Sequence, residues 1–492
     1  MGLFSFLFGR RRSQVAGTRA PEGHNRPVVL VHGYSDRGAS FQTWKAKLVE
    51  RGFNAEIINI VTYESLTNEV TIKDLAEGFD RALRTHPTLG DGREFDVIVH
   101  STGMLVVRSW LVADRDKQNE RLKRIKHLVA FAPATFGSPL AHKGRGVLGA
   151  LFKGNKHRGP DFLEAGDLIL DGLELASKYT WDLANIDLFG PKTFYGKAPD
   201  TPYPFIFCGN RAYGGIRGLI NDPGSDGTVR WAGVSLNSRK ITMDLTYPVN
   251  DPKRLTTADW TNVDCPVMFT DDRDHGSIVS EPEEGMLDHV VSALLVDSHD
   301  NFVKWLKDAG DWSTPPKEKW QQFVIRLVDE RGDPVTDYSV RLFTKNSKEP
   351  LMEFDADVHT YAGDKSFRCF HVDLQKLNPA ALLSLYAEIT ISSGTVWIGY
   401  DGYSSPDLPQ LPGEQSPPAN ESPEAANERQ AREALRPSPN TLQVDLSPHV
   451  GKSDNAVRFF YPFTTTMIEI RANREPLPFG DLVARVCRFE SF

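Results

Sequence analysis

The stretch that decides the fold is Val97-Ile98-Val99-His100-Ser101-Thr102-Gly103-Met104-Leu105. Its first residues are apolar and mostly β-branched, which is typical of a buried strand, and its last residues begin a helical pattern. A serine lies where the strand gives way to the helix. The pattern predicts a sharp turn that exposes the Ser101 hydroxyl, and a serine held in this way is a candidate nucleophile.

Strand-like and helix-like segments alternate around this turn, from Arg26 to about Gly310. The strand-like runs are short and almost continuously apolar, whereas the segments between them repeat apolar residues with helical spacing. Strands that are apolar on both faces and alternate with helices predict an α/β fold, with a mostly parallel sheet flanked by helices.

The chain has 492 residues, more than one compact core usually supports, so several domains are expected. We predict a flexible N-terminal segment at 1–25 and an α/β domain carrying Ser101 at 26–315. Residues 316–492 change to short period-two segments, which predict an antiparallel β-sandwich. A proline-rich stretch at 404–440 interrupts this pattern and is predicted to be disordered.

The net charge argues against a nucleic-acid-binding protein, and the cysteine spacing argues against a metal site built on cysteines. There are 65 acidic and 57 basic residues, for a net charge of -8, which argues against a nucleic-acid binder. The four cysteines (Cys208, Cys265, Cys369 and Cys487) are far apart and lack metal-ligand spacing. The cysteines therefore give no indication of a metal site, and nucleophilic attack by a serine needs neither a metal nor an organic cofactor. The sequence leaves the oligomeric state undetermined.

A second loop follows the first predicted strand, at His32-Gly33-Tyr34. Acyl transfer at a serine requires two backbone N–H groups that bind the oxyanion of the tetrahedral intermediate. We expect one of them from Thr102, directly after the serine, and the other from Tyr34. Gly33 would allow the loop to approach the substrate closely.

An acid and a base follow in the order that a serine nucleophile needs. Asp226 lies in a loop after the strand-like Pro204–Cys208, and His275 lies in a loop after the strand-like Val267–Thr270. Such an acid orients the imidazole and stabilises its cation. Asp226 is the preferred acid, and Asp222, Asp264 and Asp271 remain alternatives.

These motifs together resemble the α/β-hydrolase fold, and more narrowly the bacterial lipases and lipase-like esterases. The resemblance covers about Arg26 to Gly310. It rests on Val28-Val29-Leu30-Val31-His32-Gly33, His100-Ser101-Thr102-Gly103, Ser225-Asp226-Gly227-Thr228-Val229 and His275-Gly276-Ser277-Ile278. Val99 departs from the family, because it stands where the serine motif usually has its first glycine. The resemblance implies a catalytic triad of Ser101, Asp226 and His275, and ester hydrolysis through an acyl-enzyme.

A long insertion at about 136–203 is interpreted as a lid over Ser101. It mixes apolar residues with basic ones such as Lys143 and Arg145, a composition that favours a lipid substrate. We therefore expect a lipase or phospholipase. A small-ester carboxylesterase, a membrane-damaging lipase effector and a catalytically silent binding protein remain alternatives.

The N-terminus begins with an apolar run, Gly2–Phe8, which Arg10-Arg11-Arg12 follows. A secretory signal has its basic residues first and a longer apolar core, so no such signal is expected. The order fits a cytoplasmic protein or one that contacts an anionic membrane from one side, and it leaves export without a leader open.

Overall fold

In the computed structural model the chain divides into two compact units. The first comprises Met1–Asn237 and Trp260–Glu318, and the second comprises Ser238–Asp259 and Lys319–Phe492. The described residues are 17–34, 38–64, 69–90, 92–142, 167–196, 200–215, 218, 221–248, 251–259, 264–344, 349–355, 357–377, 385–391, 401–404, 422–423, 441–446 and 459–476.

The first unit is built on a parallel sheet. Its strands are β1 (Val28–Val31), β2 (Ile58–Val61), β3 (Phe95–His100), β4 (Ile125–Phe131), β5 (Tyr203–Gly209) and β8 (Val267–Thr270). They lie side by side in the order β2-β1-β3-β4-β5-β8, and every neighbouring pair is parallel. All residues of β3 are buried, as expected for a strand at the centre of a sheet covered on both faces.

Helices connect these strands. They are α1 (Phe41–Glu50), α2 (Ile72–Thr85), α3 (Gly103–Val112), α4 (Gln118–Arg124), α5 (Pro139–His142), α6 (Asp167–Leu173), α7 (Lys178–Asp187), α8 (Ser277–Ser280), α9 (Glu284–Ala293) and α10 (His299–Trp312). Helix α2 begins with a capping box, in which the side chains of Thr71 and Asp74 each bind the other's backbone N–H. The predicted α/β class, with its mostly parallel sheet and flanking helices, is confirmed.

The second unit is rich in β-structure. Its strands are β6 (Ser238–Asp244), β7 (Leu255–Asp259), β9 (Trp320–Asp329), β10 (Tyr338–Thr344), β11 (Val358–Thr360), β12 (Phe367–Asp373), β13 (Leu385–Ile391), β14 (Asp401–Ser404), β15 (Thr441–Asp445) and β16 (Thr465–Pro476). One sheet has the order β11-β12-β9-β16-β6-β7 with β14 on β16, and a second has the order β10-β13-β15. Apolar residues of both sheets share one core cluster. This unit also contains the short helix α11 (Met352–Asp355).

Strand pairing in the second unit differs from the antiparallel prediction at β16. This strand lies between β9 and β6 and is parallel to both, so the larger sheet is mixed. Neighbours joined by a tight turn must be antiparallel, whereas parallel pairing requires a long connection. Because β6, β9 and β16 come from distant parts of the chain, no short turn constrains their direction.

One segment of the predicted 26–315 domain belongs to the second unit. Residues 238–259, expected inside the α/β domain, form the antiparallel pair β6–β7 and extend the larger sheet of the second unit. The physical reason is that β16 supplies a complete edge for β6, along Ser238–Asp244.

Several predictions fall on residues outside the described ranges. These are most of the N-terminal segment, the apolar and basic part of the predicted lid (143–166) and nearly all of the proline-rich stretch. Within the described residues, no helix has both the length and the apolar composition needed to cross a membrane.

Candidate active site

Ser101 occupies the turn between β3 and α3, in a left-handed backbone conformation with φ of +52°. This conformation is strained for a residue other than glycine and is held by neighbours on both sides. The Ser101 N–H donates to the Phe131 carbonyl oxygen, and the Ser101 carbonyl oxygen accepts from the Ala134 N–H, each at 3.1 Å. Only 6% of the Ser101 surface is exposed. Ser101 is therefore more buried than the exposed hydroxyl that the sequence predicted.

Two glycines allow the chain to pack closely at this turn. A Cβ atom at Gly103 would lie 2.6 Å from the Val31 carbonyl oxygen, and one at Gly33 would lie 2.8 Å from the Ser101 Cβ. Both distances are too short for any larger residue. The close approach that the serine motif needs is thus provided by these two glycines, although Val99 replaces the usual first one.

His275 lies between Ser101 and Asp226. Its Nε2 is 3.0 Å from the Ser101 Oγ, and its Nδ1 is 2.9 Å from the Asp226 Oδ2. The His275 backbone N–H also donates to the Asp226 carbonyl oxygen at 3.0 Å. The structure therefore brings together the three residues that the sequence placed far apart.

The carboxylate of Asp226 is fully buried and well supplied with donors. Its Oδ1 accepts from the backbone N–H groups of Thr228, at 3.0 Å, and Val229, at 2.9 Å, while Oδ2 faces His275. These bonds compensate for the loss of solvent around the charge. Burial, and then the adjacent Asp226 carboxylate, raises the pKa of the Cys208 thiol, which therefore stays protonated beside the site.

The alternative acids make other contacts. Asp264 accepts from the Asn237 side chain at 2.7 Å, and Asp271 accepts from the Asn210 side chain at 3.1 Å. The backbone carbonyl of Asp222 accepts from the Ser225 hydroxyl at 2.6 Å, within the turn before Asp226. Asp226, the preferred candidate, is hydrogen-bonded to the imidazole of His275.

Tyr34 and Thr102, the expected oxyanion-binding residues, are both buried. Thr102 follows Ser101 directly and is the N-cap residue of α3. Tyr34 follows Gly33, whose backbone packs against Ser101. Thr102 thus lies on the turn that holds Ser101, and Tyr34 lies in the loop after β1, which approaches Ser101 at Gly33.

The sequence analysis did not predict the buried ion pair between Arg108 of α3 and Asp187 of α7. Arg108 of α3 binds both carboxylate oxygens of Asp187, at 2.7 and 2.8 Å, and donates to the Thr135 carbonyl oxygen at 2.6 Å. The Tyr195 hydroxyl donates to the same carboxylate at 2.8 Å. The sequence could have indicated this pair, because Arg108 interrupts the apolar run Met104–Trp110. An arginine buried in such a helix requires a partner of opposite charge.

This ion pair holds the C-terminal part of the predicted lid against α3. Asp187 ends α7, and the Ser109 hydroxyl on α3 also hydrogen-bonds to the Tyr179 hydroxyl of α7. The described C-terminal part of the insertion is therefore packed on the helix that follows Ser101. Whether the insertion acts as a lid stays a prediction, because its segment 143–166, with most of the basic residues that suggested a lipid substrate, lies outside the described ranges.

Among the described residues, no group of histidine, cysteine, aspartate or glutamate side chains has an arrangement that could hold a metal ion. His275, the polar residue nearest the Ser101 hydroxyl, hydrogen-bonds to Ser101 and to Asp226.

Solved structures of other proteins show which known fold this chain shares. No family model and no curated protein matches the sequence. Phospholipase PlaB from Legionella pneumophila is similar in structure, with a TM-score of 0.70 and 19% identity over 92% of this chain and 94% of that one. The same phospholipase in complex with thio-NAD has a TM-score of 0.66 at the same identity and coverage. This likeness, with the parallel sheet and the turn at Ser101, shows that the chain has the α/β-hydrolase fold.

Proposed function

We propose that the protein is a serine hydrolase that cleaves carboxylic esters, with Ser101 as nucleophile, His275 as base and Asp226 as the acid of the triad. The observation that supports it best is the continuous pair of hydrogen bonds from Ser101 Oγ to His275 Nε2 and from His275 Nδ1 to Asp226 Oδ2, at 3.0 and 2.9 Å. These distances are within the range for proton transfer between a nucleophile and its base.

The proposed reaction has two steps. His275 takes the Ser101 proton as Oγ attacks the acyl carbon, and the N–H groups of Tyr34 and Thr102 bind the resulting oxyanion. The alcohol leaves with the proton held by His275, which gives an acyl-enzyme. Water then attacks this ester while His275 takes its proton, and the carboxylic acid is released as Ser101 regains a proton.

We propose a lipid acyl ester as the substrate, with the protein acting as a lipase or phospholipase. Two observations support this choice. The fold is shared with a phospholipase over 92% of the chain, including the β-rich second unit. The sequence at 143–158 combines apolar residues with five lysines and arginines, a composition suited to a surface of anionic lipid.

Peripheral contact with a lipid surface is part of the same proposal. The apolar run Gly2–Phe8 followed by Arg10-Arg11-Arg12 has the composition of a surface anchor. The full chain should sediment with anionic vesicles more than with zwitterionic ones, and replacing the three arginines with glutamine should remove the difference. Equal sedimentation of the wild type with both vesicles would contradict this part.

The test combines a fluorophosphonate probe with hydrolysis of phospholipid vesicles and of p-nitrophenyl esters of graded chain length. Ser101→Ala should lose both labelling and turnover. Ser280→Ala, a change at an exposed serine of the same unit, should retain both. Long-chain preference and phospholipid turnover would support the lipid substrate, and short-chain preference would favour a carboxylesterase. A wild type that neither labels nor turns over in detergent would contradict the hydrolase and favour a binding protein.

A further inference from the structure

We propose that His32 is a positioning residue that sets the direction of the Tyr34 N–H group in the oxyanion hole. It does so by holding the carbonyl of the preceding peptide, between Gly33 and Tyr34. This inference rests on the proposed hydrolase function and adds to it a residue that does not touch the substrate.

The hydrogen bonds of His32 determine which of its nitrogens carries the proton. The backbone N–H of Tyr63 lies 3.1 Å from Nε2, and an N–H can only donate, so Nε2 must be the acceptor. The proton of the neutral ring is then on Nδ1, which lies 2.6 Å from the Gly33 carbonyl oxygen. His32 therefore donates to Gly33 through a short bond.

This bond fixes the direction of the next N–H group. In a planar trans peptide, the C=O and N–H bonds point in opposite directions. The sheet order β2-β1-β3 places Tyr63 beyond β2, on one side of His32, and Ser101 beyond β3, on the other. With the Gly33 carbonyl drawn towards the His32 ring, the Tyr34 N–H is directed away from that ring, towards the side of Ser101.

Gly33 makes such a restraint necessary. A larger residue is excluded there, because its Cβ would lie 2.8 Å from the Ser101 Cβ and 3.0 Å from the His100 Nδ1. Glycine also has more accessible backbone conformations than other residues, so the peptide that follows it rotates more freely. A flipped peptide would present a carbonyl oxygen to the oxyanion, and the bond from His32 opposes that flip.

Tyr63 in turn holds the His32 ring in place. Its ring stacks on the imidazole with centroids 4.1 Å apart and an angle of 15° between the planes. Its hydroxyl donates to the His32 carbonyl oxygen at 2.7 Å. The imidazole is thus restrained on its face and at both ring nitrogens, which is what a positioning group requires.

The test compares three proteins with the wild type. His32→Asn keeps an amide donor near the position of Nδ1, His32→Phe keeps a planar ring without any donor, and His299→Phe makes the same exchange at an exposed position. For each protein, kcat and KM for an ester and the affinity for a tetrahedral boronate inhibitor are measured, together with thermal unfolding.

We expect His32→Phe to lower kcat by up to about 100-fold, the lower end of the range for loss of one oxyanion donor. Boronate affinity should fall in parallel while KM changes little. His32→Asn should stay within about threefold of the wild type. A folded His32→Phe with wild-type kcat would overturn the inference, as would a folded His32→Asn impaired as severely as His32→Phe.

A direct measurement covers the case in which His32→Phe does not fold. The ¹⁵N shifts of the histidine rings in the wild-type protein, with His32 assigned by its absence in His32→Asn, should show the proton on Nδ1. A proton on Nε2 would overturn the inference. Failure of the hydrolase proposal is distinguished by the wild type itself, which would then show no Ser101-dependent turnover.

Discussion

The imidazole of His100 donates from Nε2 to the backbone carbonyl oxygen of His275 at 3.1 Å, and the two rings lie 4.8 Å apart. Burial, and then the neighbouring His275, holds the pKa of His100 well below its ordinary value of 6.5. His100 therefore stays neutral, and it supports the loop of the proposed base without placing a second positive charge beside it.

This lowered pKa predicts a loss of stability in acid. An unfolded chain protonates His100 near pH 6.5 while the folded chain does not, so stability decreases as the pH falls below 6.5 towards the folded pKa. The slope from this group approaches about 1.4 kcal/mol per pH unit. Urea unfolding between pH 7.5 and 5 should show a shallower decrease for His100→Gln. His299→Gln, at an exposed position, is the control, and equal slopes in His100→Gln and wild type would contradict the prediction.

The assignment of the triad acid can be tested with an isosteric change. Asp226→Asn keeps the shape of the side chain but removes the charge that, in the proposed triad, orients His275 and stabilises its cation, so kcat should fall by about 10⁴-fold. Asp264→Asn is the matched control, because Asp264 binds Asn237 instead, and should stay within about threefold. A large loss in the control alone would assign the role to Asp264.

Two glycine-to-alanine changes should have opposite effects on stability. At Gly103 the added Cβ would meet the backbone carbonyls of Val31 and His32, at 2.6 and 2.9 Å, and backbone cannot move aside easily. At Gly78, inside α2, it would meet no atom within 4 Å. We expect Gly78→Ala to stabilise by roughly 0.5–1 kcal/mol and Gly103→Ala to destabilise and impair turnover. Thermal unfolding measures both, and a Gly103→Ala protein as stable as wild type would be inconsistent with this packing.

Breaking the buried ion pair of Arg108 and Asp187 should lower the free energy of unfolding much more than breaking an exposed pair. Arg108→Met leaves the Asp187 carboxylate buried without its counter-charge and should cost about 3–5 kcal/mol. Arg108→Met with Asp187→Leu should recover much of the loss, because no uncompensated charge remains. Arg81→Met, which breaks the exposed pair with Glu77, should change the free energy of unfolding by less than about 1 kcal/mol. Similar losses for Arg108→Met and Arg81→Met in urea unfolding would contradict this account.

Local pattern was enough to predict much of the first unit. The predicted change from strand to helix at Ser101 is found between β3 and α3, because both segments are mostly apolar and the glycine at 103 follows the turn. The meeting of Ser101, Asp226 and His275 followed from their chain order on a parallel sheet, since residues after such strands share one edge.

Contacts between segments that are far apart in the sequence could not be predicted from local pattern. The strand-like character of Lys240–Leu245 is visible in the sequence, but nothing local to it indicates that its neighbour is β16. The role of His32 was equally hidden. Its bond to Gly33 depends on Tyr63, which reaches it only because β1 and β2 are adjacent.

The position of β16 between β9 and β6 has a consequence for synthesis on the ribosome. The hairpin of β6 and β7 emerges before β8 completes the first sheet, yet the strand that pairs with β6 is the last one described along the chain. Until then, β6 presents an unpaired edge, which is a site for non-native association. Premature termination anywhere before Thr465 would leave that edge exposed permanently. A nonsense mutation late in the gene should therefore yield an aggregating product rather than an active fragment.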